Sequence, residues 1–202
     1  GGGSDKLWSY PIDPSELVFE SFGLVDAFEN LSTFPTNLIA MHMTPDGSKW
    51  WLAGQAGQIY EATSTNPTTS TLVLDLSSDM ELLVAYEEGL LDFAFSPNFH
   101  VNGYFYCSYT VISGVERKNR LSRFKYTLGN TATTKSSVEV LVTSEAKYNS
   151  IHSGGWVGFK PSAYKSPTSS SHDLYWAIGD GGPQMDIYNH GQDISNLLGT
   201  IV

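Results

Sequence analysis

Two glycine-rich stretches stand apart from the rest of this chain: Ile151-His152-Ser153-Gly154-Gly155-Trp156, and Leu174-Tyr175-Trp176-Ala177-Ile178-Gly179-Asp180-Gly181-Gly182. The first carries an imidazole, His152, and the second a carboxylate, Asp180. An imidazole titrates near neutral pH and can take a proton from a hydroxyl. A carboxylate on its other nitrogen fixes the tautomer and stabilises the imidazolium that forms. Brought together, the two residues are a base and its orienting group. Kept apart, His152 is an ordinary loop histidine, and the two residues by themselves leave both readings open. Gly154, Gly155, Gly181 and Gly182 suit close approach to a flat ligand or plain turn chemistry equally well.

The other polar candidates are weaker. His42, His100, His172 and His190 show no His-x-His or His-x-x-x-His spacing of the kind that zinc sites use, and read as strand or surface positions. Asp180, Asp186 and Asp193 share a glycine-rich loop with oxygens suited to calcium, but their spacing is not that of an EF-hand loop, so no metal site is assigned. Cys107, the single cysteine, sits within the aromatic run Tyr104-Phe105-Tyr106-Cys107-Ser108-Tyr109 and reads as a small buried side chain. Alternating Trp50, Trp51, Tyr104 and Tyr106 read as strand core rather than as a carbohydrate platform.

These residues must be positioned by strands. Long helical patterning is almost absent, and short runs of Val, Ile, Tyr, Phe, Trp and Thr recur between Gly, Pro, Asn and Ser clusters, which makes the chain all-β. One unit repeats. Its first copy has Leu38 to Met43, the turn Thr44-Pro45-Asp46-Gly47, and strands at Lys49 to Ala53, Gln58 to Ala62 and Thr71 to Leu76. The second has Leu90 to Phe95, the turn Ser96-Pro97-Asn98, and strands at Tyr104 to Thr110, Leu121 to Thr127 and Val138 to Thr143. The third has Trp156 to Phe159, the turn Lys160-Pro161, a strand at Leu174 to Ile178 and an apolar end strand at Leu197 to Val202. The turn prolines lie 52 residues apart (45 to 97) and then 64 apart (97 to 161), the longer gap holding a Ser/Thr/Pro-rich surface insertion, Ser162 to Ser171.

Four-stranded units at roughly this period are propeller blades. The reading divides the chain into a lead-in at 1–33 and about three blades, near 34–80, 86–145 and 150–202. A β-sandwich is the competing architecture, but it does not require matched proline turns. Because such an arc leaves apolar blade faces in water, the remainder of a ring is expected from further sequence or from another chain, and the stop at Val202 within an apolar strand is read as a truncation.

The order of motifs is more specific than any one of them. Glu87-Glu88-Gly89-Leu90-Leu91 leads to Pro97-Asn98-Phe99; then come His152-Ser153-Gly154-Gly155, Leu174-Tyr175 with Gly179-Asp180-Gly181-Gly182, and Leu197-Leu198-Gly199. Over roughly residues 34–202 this succession resembles the N-terminal half of the glucose/sorbosone dehydrogenase family, six-bladed propellers that include the soluble quinoprotein sugar dehydrogenases and the hedgehog-interacting-protein-like group. The resemblance implies that pyrroloquinoline quinone (PQQ) lies over a central mouth and that His152 takes a proton from a sugar hydroxyl as hydride leaves for the quinone. It matches Asp180 to the aspartate that orients this histidine, and places Glu87, Gly154 and Gly155 at the cofactor's border. Trp156 and the insertion depart from the family pattern. The basic residues and calcium ligands that complete the family's cofactor site belong to a second half absent here, so this stretch alone is not expected to hold PQQ. A second function follows from the same resemblance: a non-catalytic extracellular propeller that serves as a binding or structural module.

Bulk properties narrow the partners. A net charge of -10, from 21 acidic and 11 basic residues, disfavours nucleic acid. The longest apolar runs fall far short of the roughly 18 residues needed to span a bilayer. Asn30-Leu31-Ser32 is an acceptor triplet for N-glycosylation, and the resemblance implies a secreted or periplasmic protein. Gly1 to Ser4 read as a flexible linker.

Overall fold

Each repeat opens on an apolar strand that a proline turn stops, and the computed structural model, which describes residues 28–78, 82–169 and 171–202, shows how. Strand β1 (Leu38–Met43) runs into Thr44, whose hydroxyl donates to Asp46 Oδ1 at 2.6 Å, while Ser48 N–H donates to the same oxygen at 3.1 Å. The turn then delivers β2 (Lys49–Gly54), β3 (Gln58–Thr63) and β4 (Ser70–Asp75), an antiparallel meander in sequence order. The second sheet repeats it with β5 (Leu90–Phe95), a one-turn helix α1 (Phe99–Asn102), β6 (Tyr104–Ser113), β7 (Glu116–Lys125), a short helix α2 (Thr131–Ser136) and β8 (Glu139–Thr143). The third opens with β9 (Gly154–Phe159), passes Pro161 at the first position of α3 (Pro161–Lys165), where its fixed φ suits a helix start, and returns as β10 (Leu174–Ile178).

Three details differ from the sequence reading. The insertion at 162–171 is not all loop, because α3 occupies its first half and packs Ala163 into the core; Ser170 lies outside the described residues, as does 1–27 of the lead-in. Leu197 to Val202 is not one strand. Leu198 is buried and Gly199 turns at φ +70°, and only then does the chain pair with β10, through Ile178 N–H to Thr200 O at 2.9 Å and Trp176 N–H to Val202 O at 2.8 Å. The third difference shapes the site: β7 begins at Glu116 rather than Leu121, making a hairpin with β6 closed at Gly114-Val115. The run Glu116-Arg117-Lys118-Asn119-Arg120 lies outside the strand expected from Leu121, yet Asn119 is buried and Arg117 is half-buried against a buried carboxylate.

The opening strands β1, β5 and β9 stand side by side, and the middle sheet packs on both faces. Between the first and second sheets Trp51, wholly buried, meets Phe95 at 4.8 Å, Phe105 at 5.0 Å, Tyr126 at 5.3 Å and Phe99 at 5.6 Å, all near edge-to-face. Between the second and third, Trp176 is buried with Val157, Phe159, Ile178 and Leu198, and its indole N–H donates to Ser108 Oγ at 2.8 Å. Each fully buried side chain of this size contributes about 1.5–3 kcal/mol. Outside this stack, Leu38, Ile39, Met41 and Met43 of β1 and Trp156 of β9 stay exposed.

Candidate functional site

His152 lies in the connection between β8 and β9, and Asp180 just after β10. Antiparallel pairing of β9 with β10 sets Ile178 opposite Gly154, so the residues flanking the two strand ends meet. The outcome is a contact of 2.8 Å between His152 Nδ1 and Asp180 Oδ1. Because a carboxylate only accepts, Nδ1 carries the proton and the neutral ring's acceptor lone pair is on Nε2. Asp180 Oδ1 also receives Gly182 N–H at 2.9 Å, which holds the carboxylate in place. The imidazole is 34% exposed and Asp180 22%, so the pair is reachable without being freely solvated.

The backbone of His152 is held in a left-handed conformation, φ +54°, that non-glycine residues seldom adopt. Three contacts hold it there. Glu87 Oε2 accepts His152 N–H at 2.5 Å, Gly181 N–H donates to His152 O at 3.1 Å, and Gly179 N–H donates to Ser153 O at 3.1 Å. A Cβ at residue 179 would fall 2.0 Å from His152 O, so only glycine fits there. Glu87 therefore joins the pair through the backbone of His152.

Gly154 and Gly155 are glycine for nearer reasons than a cofactor. At φ +115° a Cβ on Gly155 would strike Leu91 Cβ at 2.5 Å, and one on Gly154 would strike Gly179 N at 2.4 Å. Both permit β9 to lie close against its neighbours, and of the two only Gly154 is exposed. The acidic loop residues are likewise occupied: Asp186 accepts His190 N–H at 2.7 Å and Gly191 N–H at 3.0 Å, and Asp193 accepts Ser195 N–H at 2.9 Å. The side-chain bond from Ser195 is the main reason the Asp193 carboxyl titrates below its ordinary range. Among the described residues no group of three or more His, Cys, Asp or Glu converges as a metal site, and no helix is long and apolar enough to cross a membrane.

Two features escaped the sequence reading. Directly beneath the His152 loop, Glu88 and Lys147 have wholly buried side chains, with Lys147 Nζ 3.0 Å from Glu88 Oε1 and Arg117 on the other carboxylate oxygen. Burial pushes the Lys147 ammonium below its ordinary range, and Glu88 opposes that shift. The adjacency of two glutamates in Glu87-Glu88-Gly89 was the available signal. Elsewhere, His42 Nε2 meets Asp92 Oδ1 at 2.9 Å beside a groove of about 410 Å³, also lined by Phe93, Phe95, Trp156 and Tyr164. Asp92 further accepts Phe93 N–H at 2.8 Å and Val157 N–H at 3.1 Å, so it ties β1, β5 and β9 together.

Residues 36–202 match the sequence model of the glucose/sorbosone dehydrogenase family. The chain belongs to that family. Its fold is that of the family's propellers: it superimposes on the PQQ-bound form of aldose sugar dehydrogenase from Streptomyces coelicolor with a TM-score of 0.67 at 20% identity, over 88% of this chain and 47% of that one. The apo form of the soluble aldose sugar dehydrogenase from Escherichia coli gives 0.60 at 16% identity, over 83% of this chain and 43% of that one. A structure described as glucose dehydrogenase gives 0.64 at 13%, over 83% and 43%. This chain thus spans under half the length of each, and identities this low speak to fold alone. Comparison with curated proteins finds no match.

Proposed function

We propose that this chain is the histidine-bearing part of a PQQ-dependent sugar dehydrogenase propeller, in which His152 takes the proton from a sugar hydroxyl. The observation that carries the reading is the 2.8 Å contact from His152 Nδ1 to Asp180, which leaves Nε2 as acceptor on a partly exposed ring. Asp180 keeps the tautomer and stabilises the imidazolium, and Glu87 keeps the main chain of His152 in place. PQQ, when bound, supplies the two-electron acceptor for the hydride.

The side chains described here fit that division only in part. PQQ is a polycarboxylate and calls for cations, whereas the carboxylate of Glu87 lies against His152, His190 contacts the Asp180 carbonyl, and the nearby Arg117 and Lys147 are both engaged with Glu88. This chain supplies the base and its orienter, with Gly154 beside them at the border; no anion clamp stands beside the pair among the described residues. The clamp and the calcium ligands are assigned to the remainder of the propeller, which would also cover the exposed apolar residues of β1. Secretion, with glycan on Asn30 in its exposed turn, completes the proposal.

The test is reconstitution of the whole protein with PQQ and calcium, followed by dye reduction with a panel of sugars. His152→Ala is expected to lower turnover about 10²- to 10⁴-fold. Turnover unchanged in that variant would remove His152 as the base, and a protein that binds no PQQ would instead be a non-catalytic propeller.

A further inference from the structure

We infer that Lys147 is a positioning residue for His152, acting through Ser153. The inference rests on the reading of His152 as the base but concerns geometry that can be measured without catalysis. Lys147 Nζ, with no exposed side-chain surface, donates to Ser153 Oγ at 2.8 Å while pairing with Glu88 at 3.0 Å. Ser153 is itself buried, and its carbonyl takes Asn119 Nδ2–H at 3.2 Å and Gly179 N–H at 3.1 Å. The main chain of Lys147 is anchored on β7 by its N–H to Arg117 O at 2.8 Å. A Cβ on Gly181 would lie 2.5 Å from Lys147 Cβ, so the lysine also packs against the loop that presents Asp180.

The consecutive carboxylates of Glu87 and Glu88 therefore grip adjacent residues of one loop, Glu87 directly at His152 N–H and Glu88 by way of the ammonium at Ser153. Burying an ion pair is seldom a net gain over an apolar pair of the same volume, because both charges lose their hydration. A methionine at residue 147 would fill the same space. What it would lack is a donor for Ser153, and with it one of the restraints that keep His152 left-handed and facing Asp180.

The experiment is nitrogen NMR of the whole protein labelled with ¹⁵N-histidine and free of cofactor, at a pH where the ring is neutral. In the parent protein His152 is expected to show one tautomer, with the proton on Nδ1. In Lys147→Met the His152 signal is expected to become a broadened mixture of tautomers, while the exposed His100 stays unchanged. A conservative core variant, Ile59→Val, serves as the control for general loosening and is expected to leave His152 as in the parent. A folded Lys147→Met protein whose His152 signal matches the parent overturns the inference, as does an Ile59→Val protein that shows the same mixture. Should Lys147→Met fail to fold, Ser153→Ala, which removes only the accepting hydroxyl, decides on the same readout: the mixture supports the role and the parent signal refutes it. These readings are independent of whether His152→Ala loses turnover, so failure of the positioning role and failure of the base assignment are told apart.

Discussion

Asp180 Oδ1 receives two hydrogen bonds, from His152 Nδ1 at 2.8 Å and from its own loop at Gly182 N–H at 2.9 Å. The second bond makes the first directional, because a carboxylate fixed by its own backbone cannot rotate away when the ring titrates. Asp180→Asn should therefore be more harmful than its small change in shape suggests. The amide oxygen can still accept from both Gly182 N–H and Nδ1, which keeps the tautomer, but the negative charge that stabilises the imidazolium is lost. Turnover is expected to fall about 10²- to 10⁴-fold with little change in KM, checked by steady-state kinetics of the reconstituted protein.

Asp92 joins three blades with one carboxylate, through His42, Phe93 N–H and Val157 N–H. Replacement by alanine strands buried donors on two strands. The expected loss is on the order of 2–4 kcal/mol, read from the urea midpoint at unchanged slope. A loss within about 0.5 kcal/mol, the usual range for surface substitutions, would show that water replaces the staple without cost.

Glycine substitutions should be graded by what the new methyl group meets. Gly155→Ala combines φ +115° with a contact 2.5 Å from Leu91 Cβ and should cost several kcal/mol, on the order of 3. Gly114→Ala, at φ +65° in the β6–β7 turn with nothing within 4 Å, should cost only about 1–2 kcal/mol. Thermal melts of the two variants give the comparison; equal losses would contradict the close packing of β9 on β5.

Burial drives the Cys107 thiol well above its ordinary range and raises the Tyr164 phenol to about 12. Both groups bind protons more tightly when folded, so their contribution to stability is complete below the unfolded pKa values, near 9 for the thiol and 10 for the phenol, and is lost as pH rises beyond them. Stability should decline above about pH 9. Alkylation of Cys107 at pH 8.5 should track global unfolding; rapid modification of the native protein would refute the burial.

Much of this was legible in the residues. Period-two apolar runs and proline turns mark the strands, since a pleated strand buries alternate side chains and proline cannot continue the ladder. The repeated order of those elements indicates blades, and His152 and Asp180 stand out because each interrupts a glycine-rich segment beside a strand. The charged start of β7 was not legible, because its burial depends on partners elsewhere in the chain. No pattern in the sequence marks Arg117 and Lys147 as partners of Glu88; only the fold sets the carboxylate between them.

What the amino-acid order determined, then, was the set of strands, their turns and the types of group carried by the glycine-rich loops. Which groups touch was decided only by the fold. Residues 152 and 180 meet because β9 and β10 pair antiparallel, and residues 88 and 147 meet because the second sheet carries its first strand and its last connection to the same end. Contacts of that kind depend on distances of a few ångströms between segments far apart in the chain, and local propensity carries no information about them.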